Sequence, residues 1–437
     1  MTGASTSNGY IIDLTYLNHS EILHDYQVDG KTFTAITYEG GCVWKNVYDT
    51  TAGTGYTAVG ARVSNVGVGG FSTGGGIGFL AGAYGYAVDR LRAMDVVLAD
   101  GCSVTATAHN AYSDLFWALR GGGGQFGIVT KFYQEAAAEP SIGEIRSYII
   151  TNTSDQDAMA RKNTVKWFGT NTDPFSLMYF VRGLLPADPS NLDPSTFALR
   201  TALITLRFQD PNNPRQPSYD QTFGSLVQGL STTGTLQASV PLAYMYEEFD
   251  PYFPYGFRRG FYGPQVTNIT APYLTAATST FDTYIGSIVQ NGESPVSALW
   301  AVQYMYPGLN GNLPASNSDT AWPHAIAGHQ TLFSPSWSKV QDDAATLLTN
   351  SILNDLTYAQ QTANGPFIAD YPNYISPGAS GSRVWGSNVA RLIAVKQKYD
   401  PQCRIHNGRT FASKRLSSLW VGEHIHLDIT SLKLDYG

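Results

Sequence analysis

The sequence predicts an α+β protein of two or three domains, and three observations predict it. Its 437 residues, 43% hydrophobic and 13% aromatic, suffice for more than one core. Up to about residue 138, short strand-like runs alternate with turn signals; beyond it come longer apolar strands separated by amphipathic helices. Within the first part lies "VGVGGFSTGGG", residues 66–76, so dense in glycine that it demands a separate explanation.

The elements follow in order. In the first region "GYIIDLTYL" (9–17), "KTFTAITYEG" (31–40) and "RAMDVVLADG" (92–101) read as strands, "YSDLFWALRG" (112–121) as a helix and "FGIVTKFYQE" (126–135) as a strand. The second region, 139–360, brings "EIRSYIITN", "FSLMYFVRGL" and "FALRTALITLRFQ" as strands, and "SDQDAMARKNTVKWFG" and "SYDQTFGSLVQGL" as helices. "SALWAVQYMYPG" adds a strand, and "SWSKVQDDAATLLTNSILNDLTYAQQ" a long amphipathic helix opened by a serine cap. Between them, residues 244–264 are nearly half aromatic, with Pro and Gly that forbid a regular helix; they predict a cavity-lining loop, with interdomain packing as the plainer account. A segment from 361 to 411 holds "YPNY" and a short helix ended by Asp400-Pro401, and 412–437 forms a tail.

Composition excludes several functions. A net charge of -7 with 14% charged residues offers no basic stripe for nucleic acid or an anionic membrane. No apolar run approaches the roughly 20 residues that span a bilayer. Cys42, Cys102 and Cys403 form no C-x-x-C, which argues against a zinc site and permits at most one disulfide. His424 and His426 in "EHIHLD" share a strand face, but no further ligand set accompanies them, so no metal is expected. Asn18, Asn152 and Asn268 head glycosylation triplets, and the start carries no signal-peptide pattern, which leaves the compartment unassigned.

Dense glycine after a strand commonly forms a nest of N–H groups around an anion, and a phosphate or pyrophosphate is the natural guest; a tight structural turn is the competing reading. A second cluster at 121–127 formally contains G-x-G-x-x-G as Gly122, Gly124 and Gly127. It follows a helix and opens a strand, the reverse of a dinucleotide fingerprint. G-x-x-x-x-G-K-[ST] is absent.

In order, "ARVSNVGVGGFSTGGGIGFLAGAYGYAVDRLRAMDVVLADG", "SDLFWALRGGGGQFGIVTKF", "YPNY" and "WGSNVARLIAVKQKYDP" resemble the FAD-linked oxidoreductases of the vanillyl-alcohol oxidase and p-cresol methylhydroxylase superfamily, in its fungal berberine-bridge-enzyme-like branch. The resemblance implies an FAD-binding domain of p-cresol methylhydroxylase type over 1–138, incomplete at its N-terminus. It further implies an α/β substrate domain with an antiparallel sheet covered by helices over 139–360, and a return to the FAD domain over 361–411. It implies that Gly67, Gly69, Gly70, Ser72, Thr73, Gly74 and Gly75 wrap the FAD pyrophosphate, that Gly85 and Val88 lie along the cofactor, and that Gly127, Ile128 and Val129 offer main-chain groups near its nucleotide end.

The family's R-x-G-G-H loop, whose histidine bonds the flavin, matches none of the eight histidines, and Val63 stands where bicovalent members have cysteine. The chain therefore reads as truncated, with FAD non-covalent if bound. Val66 matches a position that resembles an oxygen gate, and valine there goes with oxidases. In the family's carbohydrate oxidases a tyrosine of Y-x-N-Y is similar to the catalytic base, which puts Tyr371, Asn373 and Tyr374 in register with Tyr374 as the base. Arg258 or Arg259 would lower its pKa; the plainer alternative for Tyr374 is a pocket wall.

These readings predict an FAD-dependent oxidase that removes hydride from a small alcohol, amine or secondary metabolite, with oxygen reduced to hydrogen peroxide. The alternatives are oxidation-coupled cyclisation in the same pocket and an inactive remnant without cofactor. The expected partners are a small-molecule substrate and oxygen, with neither nucleic acid nor membrane.

Overall fold

The computed structural model describes residues 10–188, 191, 193–253, 256, 258–292, 297–364, 366, 368–376, 379–405 and 411. The tail, with His424 and His426, and also His406 lie outside them.

Two antiparallel sheets carry the molecule. The first runs in the spatial order Ser20–Val28, Lys31–Glu39, Ile128–Glu135, Leu91–Val97, Ser103–Thr107. Its opening hairpin turns on Asp29 and Gly30, both at positive φ (49° and 74°), the mirror-type turn that matches strand twist. That turn decides where the first strand lies. The strand expected over residues 9–17 is not formed by the described residues 10–17, and pairing begins at Ser20. Asp13 Oδ1 accepts from the Thr15 amide at 2.8 Å and Leu17 N–H bonds Leu14 O, so local side-chain bonding bends the segment away from the ladder. Tyr38, Trp44, Phe126 and Phe132 form the dry centre of this half, covered by helices Trp44–Thr51, Ser113–Leu119 and Val389–Tyr399.

The second sheet has seven strands in the order Thr232–Val240, Gly143–Ile150, Ala198–Phe208, Ser176–Leu185, Leu299–Gln303, His329–Ser334, Gln265–Val266. Alternation splits its side chains between two cores. Met178, Phe180, Leu203, Trp300 and Val302 pack with Trp167, Phe223 and Phe281 of the covering helices. Tyr179, Val181, Ala202 and Ala301 face the other way.

Helix Ser154–Thr170 is capped by Thr153, Tyr219–Val227 by a Ser218/Gln221 capping box and Ala271–Gln290 by Thr270. The long helix departs from expectation. It spans Asp343–Asn364 without the serine cap, because Ser336–Trp337 pairs as a strand with Arg258–Arg259 and the buried Ser336 hydroxyl is bonded to Ser297 O. Helix Val389–Tyr399 returns to the first half, where Lys398 and Tyr399 both reach Asp114, at 2.7 and 2.6 Å.

Candidate active site

The glycine segment is not a loop throughout. Val68 N–H bonds Cys42 O at 3.0 Å, and Val68–Thr73 closes as a short helix behind Gly67. Its first-turn amides at Gly69 and Gly70 find no acceptor among the described residues, as helix geometry requires of first-turn donors. Thr73 O then accepts from Gly121 and Gly123, at 2.9 and 3.1 Å, and so binds the two glycine clusters to each other.

"YPNY" pins this segment from outside. The Tyr371 hydroxyl accepts from the amides of Gly76 (3.1 Å) and Ile77 (3.0 Å), and Asn373 Nδ2 donates to Phe71 O and to that same hydroxyl. The approach is so close that a Cβ on Gly74 would lie 2.1 Å from Asn373 Oδ1. Gly75 has φ 113°, a conformation only glycine adopts without strain.

Between the sheets opens a cleft of about 2020 Å³. Gly67, Gly69, Gly70, Thr73 and Gly74 line one side of it, and Gly127, Ile128 and Val129 another part of the same wall. A side chain built on Gly67, Gly123 or Gly124 would meet nothing within 4 Å, so this backbone faces open space. Bare donors over open space, without a lysine, fit a phosphate group. Four residues expected along the cofactor lie off this lining. Ser72 points into the core, its hydroxyl 3.2 Å from that of Tyr38. Gly75 faces Trp322 and Tyr371, and Gly85 faces Asn312. Val88 is buried against Trp322 and Tyr371, with its carbonyl taken by Arg120 Nε at 2.8 Å.

At the inner end of the cleft stands Arg62, which the sequence reading missed. It donates through Nη1 to the Tyr179 hydroxyl at 2.5 Å and to Gln303 Oε1, and through Nη2 to the Tyr374 hydroxyl at 3.3 Å. Burial works against its charge, but the facing phenol oxygens of Tyr179 and Tyr374 outweigh that and hold its pKa above the ordinary arginine value. Arg258 and Arg259 do not fill this place. Arg258 forks onto Asp343, at 3.0 and 2.7 Å, and Arg259 reaches Tyr252 O and Ser297 Oγ. Their strand pairs with Ser336–Trp337.

The two tyrosines of "YPNY" therefore differ. Tyr371 is buried, its hydroxyl spent on backbone amides and its pKa pushed up to about 12 by burial, with Tyr374 adding to the shift. Tyr374 is half-buried on the cleft, between Tyr371 and Phe261, with ring centroids at 5.0 and 6.1 Å. Phe249, Tyr252, Phe253 and Phe261 of the aromatic segment border the cleft, as do Val63 and Val66. Among the described residues no histidine or cysteine lines it, and no group of three His, Cys, Asp or Glu could hold a metal.

Two family models match the chain: "FAD binding domain" over residues 1–107 and "Berberine and berberine like" over 370–403. The chain is 27% identical over 410 residues to the FAD-linked oxidoreductase pgmH of Aspergillus terreus, covering 91% of this chain and 78% of that protein. Matches at both ends of the chain and along its length support a place in the berberine-bridge-like branch of the FAD-linked oxidoreductases. FAD is thus the cofactor of this oxidoreductase, and the open glycine backbone fits its phosphates. The oxidoreductase is also 27% identical over 433 residues to the bifunctional decalin synthase calF of Penicillium decumbens, covering 92% of this chain and 69% of that one. Its fold matches that of a chitooligosaccharide oxidase with a TM-score of 0.68 at 18% identity, covering 92% of this chain and 81% of the other. The mixed helix and antiparallel-sheet architecture is thus that of the vanillyl-alcohol-oxidase type.

Proposed function

We propose that this FAD-linked oxidoreductase is an oxidase of a small alcohol or secondary metabolite, with Tyr374 as the base that takes the hydroxyl proton. The observation that carries the reading is the contact of Arg62 Nη2 with the Tyr374 hydroxyl on the cleft wall, while the hydroxyl of Tyr371 is fully engaged elsewhere. That contact orients the Tyr374 hydroxyl on the cleft wall, where a substrate hydroxyl would meet it. Gln303 and Tyr179 fix the guanidinium in place, so that it is oriented before substrate arrives. Asn373 positions Tyr371, and through it the backbone of Gly76 and Ile77, at the edge of the cofactor site.

Bound FAD supplies a hydride acceptor that molecular oxygen reoxidises, giving hydrogen peroxide. Gly69, Gly70 and Gly124 would hold its phosphates through main-chain N–H groups. A non-covalent attachment is favoured because no histidine or cysteine among the described residues lines the cleft. Val66, on the cleft wall, is small enough to leave oxygen a path. Tyr374→Phe should slow anaerobic flavin reduction by roughly 10² to 10⁴-fold, with substrate affinity little changed. An unaltered rate would remove Tyr374 from the chemistry. Peroxide formed in equal amount to oxidised product separates an oxidase from a dehydrogenase.

The likeness to a decalin synthase favours a second reading, in which the oxidised product cyclises before release. Recovery of oxidised but uncyclised product decides between the two.

A further inference from the structure

We propose that the cleft selects an apolar alcohol, one hydroxyl on a ring-sized hydrocarbon body, and rejects sugars. The seven-stranded sheet turns one face of its pleat towards the cleft, and its side chains there fall in cross-strand rows. One row pairs Gln303 with Tyr179 and Tyr179 with Ile204, which places the partners of Arg62 at its end. The next row, one pleat away on the same face, runs Leu332, Ala301, Val181, Ala202, Ile149 across five strands. That row is aliphatic throughout. Leu332 at its end and Ile204 in the row beside it are half-buried on the cleft, whereas Ala301, Val181, Ala202 and Ile149 are buried behind them. Among the described residues that this sheet brings to the cleft lining, Ser147 and Tyr179 are polar; the Tyr179 hydroxyl already engages Arg62, as does Gln303 behind it.

A sugar carries a hydroxyl on almost every carbon, and each one turned to this wall would be stripped of water without a partner, at a cost of about tenfold or more in affinity; the charged lining residues Glu247, Glu248, Asp250 and Arg259 stand on the aromatic segment instead. A hydrocarbon body gains by the same burial, and one hydroxyl suffices for the polar corner where Arg62 holds Tyr374. The shared fold of the chitooligosaccharide oxidase does not alter this, since side chains rather than fold choose the substrate. The proposal rests on the Tyr374 reading only for where the hydroxyl is placed.

Anaerobic calorimetry on the protein loaded with FAD and reduced beforehand with dithionite, which leaves no hydride acceptor, tests it, with perillyl alcohol and cellobiose as probes. Perillyl alcohol should bind with a negative heat-capacity change, and cellobiose should give no binding heat at ten times the concentration. Leu332→Asn, at a half-buried position of this wall, should weaken perillyl alcohol at least about tenfold without changing the flavin spectrum. Ile204→Asn, at a half-buried wall position, should act in the same direction and guards against a packing failure in the first variant. Cellobiose binding as tightly as perillyl alcohol, absence of perillyl alcohol binding, or indifference of its affinity to both substitutions would overturn the proposal. Because binding is read without turnover, it is separable from the base assignment: normal flavin reduction in Tyr374→Phe removes the base and leaves the preference standing.

Discussion

Arg62 concentrates three long-range hydrogen bonds in one side chain, to partners 117, 241 and 312 residues away. Replacing it by leucine would leave the Tyr179 hydroxyl and Gln303 Oε1 in a closed site without their donor. That costs about 1–3 kcal/mol of stability for each group left unpaired. Arg62→Leu should therefore lower both the melting temperature and the rate of flavin reduction; loss of neither would contradict the assigned geometry. His329 is a second residue with a measurable signature. Its Nδ1 accepts from the Met305 amide at 3.1 Å, and its ring lies between Phe168 and Tyr304. Burial pushes its pKa down to about 3 from 6.5. The unfolded chain takes up the proton first, so this contribution to stability is complete above pH 6.5 and is lost as pH falls towards 3. The acid-side decline in melting temperature should be shallower in His329→Gln than in the wild type, and equal slopes would contradict the buried neutral imidazole. Such residues explain what sequence reading loses. The glycine segment and Y-P-N-Y were legible as places to look, and both reach the cleft, because both are local patterns. Arg62 was not, since nothing near it in the chain announces partners so distant; a glutamine closing the apolar run Leu299–Gln303 was the one available signal.

At the scale of elements, the glycine segment is held in shape by a clasp contributed from the far end of the chain. Asn373 and Tyr371 bind it through four hydrogen bonds of 3.0 to 3.2 Å, counting the one between them. Gly74→Ala would force its Cβ onto Asn373 Oδ1 and should destabilise the protein by about 1–3 kcal/mol while weakening FAD retention. Unchanged stability and retention would mean that the clasp is dispensable. The same elements show why strand prediction succeeded in some places and failed in others. Runs such as Gly143–Ile150 and Ser176–Leu185 are central strands whose composition leaves little choice. Residues 10–17 carry a comparable apolar pattern but lose to an aspartate turn. Ser20–Val28, rich in polar residues, is recruited by the hairpin turn at Asp29–Gly30. The serine cap failed for a related reason, since Ser336 serves a strand pair rather than a helix.

For the whole molecule, two sheets of unlike make-up face one another across the cleft, one side bringing open backbone for a phosphate and the other an aliphatic wall. Their division of labour makes cofactor binding and substrate choice separable by mutation, with Gly74→Ala acting on the first and Ile204→Asn on the second. The most direct test of the account is the visible absorption spectrum of the protein loaded with FAD and passed through gel filtration, before and after acid precipitation. Flavin bands that accompany the protein through the column and are released by acid are the predicted result, since the open amides of Gly69, Gly70 and Gly124 would hold the cofactor without a covalent bond. A colourless protein after gel filtration, or flavin that stays with the acid precipitate, would contradict it.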